Sequence, residues 1–213
     1  MKTDIIKPAY LFLVFFWVLQ GCYFPIVATG VVATAVAVTD RRTAGIILED
    51  ETIELKAMNE LSKTFKDEQI SVAVTSFNRA ALLTGWVPKK NISQEVASTI
   101  ANIENVREII NELNIGPKAT RKMFARDSLL TAKIKASFID EENLNANVVK
   151  VKTENGIVFL MGVVTQREAD LAADIASRVR GTKRVVKVFE VKSQTEIDNI
   201  DAVINSQKPK PRE

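Results

Sequence analysis

Three kinds of side chain could do chemistry in this sequence: one cysteine, Cys22, the run Asp140-Glu141-Glu142, and serines such as Ser128 and Ser137. A nucleophilic thiol or hydroxyl needs a base beside it. The chain contains no histidine, which removes the usual Cys-His and Ser-His arrangements. One cysteine without histidine also leaves no transition-metal site of the usual kind. Three adjacent acids in a polar stretch read as a solvated turn. No two glycines stand close enough to cradle a phosphate. The pattern is that of a binding module with no enzymatic activity and no cofactor.

The flanks of Cys22 give it a different role. Lys2 and Lys7 precede an apolar core from Ala9 to Leu19, followed by Gln20-Gly21-Cys22, the three-part layout of a secretory signal. A membrane-crossing helix needs about 20 apolar residues, and Pro8 and Gln20 bracket fewer than that. Leu19-Gln20-Gly21-Cys22 resembles the bacterial lipobox, with Gln20 in place of the usual small residue. That resemblance implies a thioether-linked diacylglycerol on Cys22, cleavage before it, and acylation of the new N-terminus. Acyl chains contribute roughly 0.8 kcal/mol per buried methylene, so such an anchor holds. The lipoprotein sorting rule that accompanies the motif retains an aspartate-flanked cysteine at the inner membrane. Here Tyr23 follows, which implies the periplasmic face of the outer membrane.

Cleavage leaves residues 22–213, room for one medium or two small domains. A single cysteine excludes internal disulfides, so each core must hold by packing alone. Charge is uneven along the chain. Asp40 to Gly116 carries 9 basic and 12 acidic residues, whereas Pro117 to Lys192 carries 15 and 9. The second half therefore suits an anionic partner. At a membrane address that partner is a lipid headgroup or cell-wall polymer, with no role for nucleic acid.

Two segments repeat each other. "AALLTGWV" (Ala80 to Val87) answers "IVFLMGVV" (Ile157 to Val164) 77 residues on. "VASTIANIENVREIINEL" (Val96 to Leu113) answers "AADIASRVRGTKRVVKVF" (Ala172 to Phe189) 76 residues on, one residue being lost between. Upstream, Ile53, Ala57, Leu61 and Phe65 recur at helical spacing after Asp50, and Leu130, Ile134 and Phe138 recur after Asp127. An acid before such a run is a plausible N-cap for a helix. Strands are expected over Ile70 to Thr75 and Ala80 to Val87, then Val148 to Lys152 and Ile157 to Val164, turning at Asn78-Arg79 and Asn155-Gly156. Each unit reads α-β-β-α-β.

That order, the stretch "VKVKTENGIVFLMGVVTQREADLAADIASRVRGTKRVVKVFEV" and its fainter first copy resemble the BON domain in tandem. Gly156, Gly162 and Gly181 are the hallmark glycines of the second copy; the first keeps Gly85 but carries Arg79 and Asn105 at the other two positions. The resemblance implies an α+β fold, two helices on a small three-stranded mixed sheet in each domain. It divides the chain into a signal peptide (1–21), an acylated N-terminus and tether (22–45), BON domain 1 (46–116), BON domain 2 (117–192) and a polar, disordered tail (193–213). The tether's "YFPIVATGVVATAVAVT" either lies near the membrane or packs as a strand.

In two-domain lipoproteins of this kind, anionic phospholipid binding is ascribed to the first helix of the second domain, where a tryptophan stands in place of Leu129. Here that helix offers Leu129 and Ile139 off the core stripe, bracketing Lys133 and Lys135. Two readings stand: the pair dips into headgroups while the lysines meet phosphates, or it packs against the other domain or the sheet edge. Arg178, Arg180, Lys183 and Arg184 gather near the end of the next helix, where basic residues also answer the helix dipole. The expected partner is phosphatidylglycerol or cardiolipin, in support of outer-membrane integrity. The alternative is an envelope scaffold that grips assembly machinery or peptidoglycan.

Overall fold

The computed structural model describes residues 40–66 and 70–206. Cys22, the signal and nearly all of the tether lie outside the described residues, as does the end of the tail. Two three-stranded sheets, each with the central strand antiparallel to one neighbour and parallel to the other, carry the helices in the expected α+β arrangement.

The first unit runs α1 (Ala44–Thr64), β1 (Ser71–Phe77), β2 (Ala80–Val87), α2 (Lys90–Ala101) and β3 (Glu108–Ile115). The second runs α3 (Arg121–Ile139), β4 (Lys150–Glu154), β5 (Ile157–Val164), α4 (Gln166–Arg178) and β6 (Arg184–Val191), with a short 3-10 turn at Ala146–Val148 leading into β4. The residue lost between repeats falls between β2 and α2, where Pro88-Lys89 is matched by Thr165 alone. Thr165 and Glu168 form a capping box there, and α4 needs no longer lead-in.

Both expected helix starts are corrected. Thr43 caps α1 and Thr120 caps α3, each hydroxyl accepting from the backbone three residues on. Asp50 and Asp127 lie mid-helix and hold the β-hairpins instead. Asp127 accepts from the N–H groups of Asn155 and Gly156 at 2.8 Å each, and Asp50 from those of Asn78 and Arg79 at the same distance. These turns have positive φ at both central residues, 49° and 67° in the first, 52° and 75° in the second. The two amides of such a turn point to one side, where a carboxylate on the packed helix satisfies both.

The apolar runs of β2 and β5 are continuous because both faces are covered. Ala81, Leu83 and Val87 face α1 and α2, while Leu82 joins Phe77, Phe159, Met161 and Val163 in a separate core between the sheets. Ion pairs surround that inter-sheet core: Lys150 with Glu54 at 3.1 Å, Arg184 with Glu112 at 2.7 Å, Arg107 with Glu190 at 3.5 Å.

The expectation of a disordered tail fails over its first part. Gln194–Ser206 is a helix, α5, and Ile197 is buried in the inter-sheet core with Ile200 against it. Ser193 and Glu196 hold its start reciprocally, with Ser193 Oγ accepting from the Glu196 N–H and Glu196 accepting from the Ser193 N–H. Ile197, Ile200 and Ile204 at helical spacing carried the same signal, obscured by the polar residues around them.

Candidate functional site

α3 is longer than the apolar stripe suggested, beginning at Arg121. Leu130, Ile134 and Phe138 are buried against the sheet and α4. Leu129 and Ile139 stand largely in solvent, 56% and 73% exposed, so the packing alternative does not describe them. Lys133 and Lys135 are exposed as well.

The four residues do not form one spot. Ten positions on a helix separate Leu129 from Ile139 by about 15 Å along the axis and about 80° around it. Leu129 neighbours Lys133 one turn on, and Lys135 neighbours Ile139 in the same way, giving two apolar-basic pairs. The structure gives Leu129 and Lys133 further company. They line a hollow of about 360 Å³ with Arg126 of α3, the Asn155-Gly156 turn, and Arg180 and Lys183 of the loop between α4 and β6. Two elements, α3 and the α4–β6 loop, thus bring four cations around one exposed leucine, with Asp127 of α3 on the same wall held by the hairpin turn.

Backbone geometry builds this hollow. Gly156 and Gly181 have φ of 75° and 117°, and a Cβ on Gly156 would stand 3.2 Å from the Gly181 carbonyl oxygen. The hairpin turn approaches the α4–β6 loop this closely because Gly156 has no side chain, whereas a Cβ on Gly181 would meet only Leu130, at 3.6 Å. Lys183 closes the contact, its backbone N–H donating to the Gly156 carbonyl at 2.8 Å and its ammonium to Asn155 Oδ1 at 3.0 Å. In the first unit Arg79 and Asn105 hold the corresponding positions with φ of 67° and 70°. That copy is degenerate in sequence while keeping the backbone conformation.

The basic group near α4 divides by its partners. Arg178 pairs with Asp174 one turn back, and Arg184 reaches Glu112 of the first sheet. Arg180 and Lys183 turn to the hollow. Sequence reasoning missed Arg126, Arg180 and Lys183 as members of one site, and only the positions of Arg126 and Lys133, three before and four after Leu129, were readable as a shared helix face. Phe124, 72% exposed near the start of α3, lay before the expected helix.

The acidic run has no catalytic geometry. Glu141 accepts from the Asn143 side chain and backbone at 2.9 and 3.0 Å, and these bonds hold its carboxyl below the usual carboxylate value, ionised in an exposed loop. Ser137 donates to the Lys133 carbonyl. Among the described residues no group of acids, cysteines or histidines could hold a metal, and no helix is long and apolar enough to cross a membrane.

Two α-β-β-α-β units, each with an aspartate of its first helix clamping its hairpin turn, define a tandem α+β protein. The BON domain profile matches residues 49–117 and 126–193, more than half of the chain. The chain belongs to the BON family, with two copies of the domain. It is 41% identical over 176 residues to the outer membrane lipoprotein DolP of Haemophilus influenzae, covering 81% of this chain and 89% of that protein. It is 37% identical over 151 residues to a 21 kDa hemolysin of Actinobacillus pleuropneumoniae, covering 70% and 78%. Among solved structures it matches CdsD, a structural protein of the type III secretion system of Chlamydia trachomatis, at 15% identity and a TM-score of 0.28 over 75% of this chain and 70% of that one, a likeness too weak to build on.

Proposed function

We propose that this protein is a non-enzymatic outer-membrane lipoprotein, anchored through Cys22 on the periplasmic face, whose second BON domain binds anionic phospholipid and so supports envelope integrity. The observation that carries the reading is the exposed Leu129 ringed by Arg126, Lys133, Arg180 and Lys183. An apolar side chain among cations matches a headgroup boundary, where the leucine enters the acyl edge and the cations meet phosphate oxygens. Lys135 and Ile139 extend the same helix as a second point of contact. Similarity to a protein named as an outer membrane lipoprotein supports the anchor and the address.

Vesicle co-sedimentation tests the lipid reading. A fragment from Asp40 onward is expected to sediment with vesicles containing phosphatidylglycerol or cardiolipin and to stay in solution with phosphatidylcholine alone. Partition to neither, with retention on cell-wall sacculi, would transfer the function to an envelope scaffold. The anchor has its own check. In Cys22→Ala the thioether cannot form, so an unacylated precursor accumulates; mass spectrometry finding any mature N-terminus other than acylated Cys22 in the natural protein would refute it.

A further inference from the structure

The first domain holds a second copy of the ground on which the hollow beside α3 is built, and its charges are arranged differently. Counted back 77 residues from α3 and the β4–β5 turn, Arg126 answers to Glu49, Lys133 to Lys56 and Gly156 to Arg79. Counted back 76 from the α4–β6 loop, Arg180 answers to Glu104 and Lys183 to Arg107. The turn-clamping aspartates, Asp50 and Asp127, hold the two copies to the same geometry.

In the first domain these charges satisfy one another. Arg79 pairs with Glu49 at 3.5 Å and donates to the Asn105 carbonyl at 3.0 Å, so its side chain lies across the gap between turn and loop. Lys56 pairs with Glu104 at 3.1 Å, and Arg107 with Glu190 at 3.5 Å. The second domain has arginine at both acidic positions and glycine in place of the bridging Arg79. Among the described residues none of Arg126, Lys133, Arg180 and Lys183 pairs with a carboxylate; Lys183 reaches the amide oxygen of Asn155. Asp127, the one acid on the wall, is already engaged by two backbone amides. Two carboxylates present in one copy are therefore missing from the other, and cations stand in their places around an opening of about 360 Å³. Like charges gathered in this way repel unless an anion joins them.

We propose that the hollow is a receptor for a phosphate monoester, so that headgroups ending in a bare phosphate are held in preference to phosphodiesters such as phosphatidylglycerol. A monoester carries about two negative charges at neutral pH, the charge that Glu49 and Glu104 supply in the first domain. Its three free oxygens offer acceptors to two guanidinium forks and two ammonium groups, whereas a diester keeps two free oxygens and one charge. Leu129 stands at the rim where the first domain has Thr52. An apolar side chain there suits an ester whose other end carries acyl chains, as in phosphatidic acid. The preference rests on the anionic-phospholipid reading of α3 and narrows it to one headgroup class.

The test uses the full acylated chain in a nonionic detergent, which removes the surface charge of a bilayer. Native mass spectrometry counts each lipid bound when phosphatidic acid and phosphatidylglycerol of the same acyl chains are supplied at equal concentration. Phosphatidic acid is expected to be retained about fivefold or more over phosphatidylglycerol, the factor for one additional charge near a cation. Arg126→Glu and Arg180→Glu, each restoring the first domain's residue, should bring that ratio to about one with circular dichroism unchanged, both side chains being exposed. Lys135→Glu makes the same change of charge on α3 outside the hollow and should keep the preference. Glycerol 3-phosphate should displace phosphatidic acid only at concentrations well above the lipid's own; displacement at equal concentration keeps the monoester chemistry and assigns its source to a soluble compound. The proposal is overturned if phosphatidylglycerol is held as well as phosphatidic acid, which leaves the phospholipid reading standing, or if the preference survives both arginine variants. Binding of neither lipid nor of glycerol 3-phosphate overturns both. It is equally overturned if a polyglutamate peptide displaces the lipid at lower concentration than glycerol 3-phosphate does, which assigns the cations to an acidic protein segment.

Discussion

Leu129 and Ile139 differ from the lysines beside them in what they would contribute at a membrane, and the difference is measurable. Glutamate at either apolar position places a carboxylate that must lose water while facing anionic lipid, so Leu129→Glu and Ile139→Glu should each abolish vesicle binding in a folded protein. Lys133→Glu with Lys135→Glu should weaken it less, since a basic residue near an anionic surface contributes about 1 kcal/mol and is screened within about 8 Å at physiological salt. Titration at rising salt should narrow the gap between this variant and the natural protein while leaving the apolar variants inactive. Glutamates at 129 and 139 that bind as well as the natural protein would move the site off α3. That Leu129 and Lys133 share one exposed face of α3 was legible from their helical spacing. The membership of Arg180 and Lys183 was not, because about 50 residues of chain fold back before they meet α3.

Among the elements, the β-hairpins depend on contacts outside their own strands. Asp127 sits on α3 and satisfies two amides of the β4–β5 turn. Asp127→Ala should leave both unpaired and cost about 1.5–3 kcal/mol of stability, the range for hydrogen bonds to a charged group. Chemical denaturation measures this, and a loss under about 0.5 kcal/mol, the level of an ordinary surface change, would mean that water replaces the carboxylate without cost. Gly162 tests the strand itself. A Cβ there would stand 2.4 Å from the Val148 carbonyl oxygen, a backbone atom with little room to give. Gly162→Val should therefore unfold the second domain or lower its stability by about 3 kcal/mol. Unchanged circular dichroism and melting would contradict this packing. Both aspartates were visible in the sequence as acids ahead of apolar stripes and read as N-caps. Local pattern cannot separate the two roles, since Thr43 and Thr120 sit seven positions earlier, each able to cap.

At the scale of the molecule, one side chain near the start of the described residues joins several parts. Arg41 donates to Glu168 at 2.8 and 3.0 Å, to Asp201 of α5 at 3.1 Å and to the Val163 carbonyl at 3.1 Å. Next to it Arg42 binds Asp40 and Asp50 and lies 3.9 Å over the Phe77 ring, in the first domain. Neighbouring residues thus tie the chain's lead-in to both domains and to α5. Burial alone would push the Glu168 carboxyl up, but hydrogen bonds from Arg41 and from Thr165 outweigh it and hold the carboxyl below its usual value. A folded value below the unfolded one means that the unfolded chain takes up the proton more readily. The stabilisation is then present above about pH 4.3, the ordinary glutamate value, and is lost as pH falls through the lowered one. Arg41→Ala should melt earlier than the natural protein at neutral pH, and the gap should close under acid below that lowered value. An equal gap at both pH values would mean that the arginine acts through packing alone.

The sequence by itself determined the order of elements, the twofold repeat, the placement of the strands, and the cation excess of the second half. Each depends on neighbours a few positions apart or on composition, and the periods of helix and strand make such information local. Tertiary structure decided what the polar residues do. Asp50 and Asp127 became turn clamps, Arg41 and Arg42 interdomain ties, and Arg180 with Lys183 parts of a hollow with α3. A charged side chain carries no period that identifies its partner. Its role is set by which groups the folded chain leaves within about 3 Å of it, and those come from distant parts of the sequence. The same reason hid α5: its spacing was helical, but Ile197 finds a buried place only after two sheets have closed on each other.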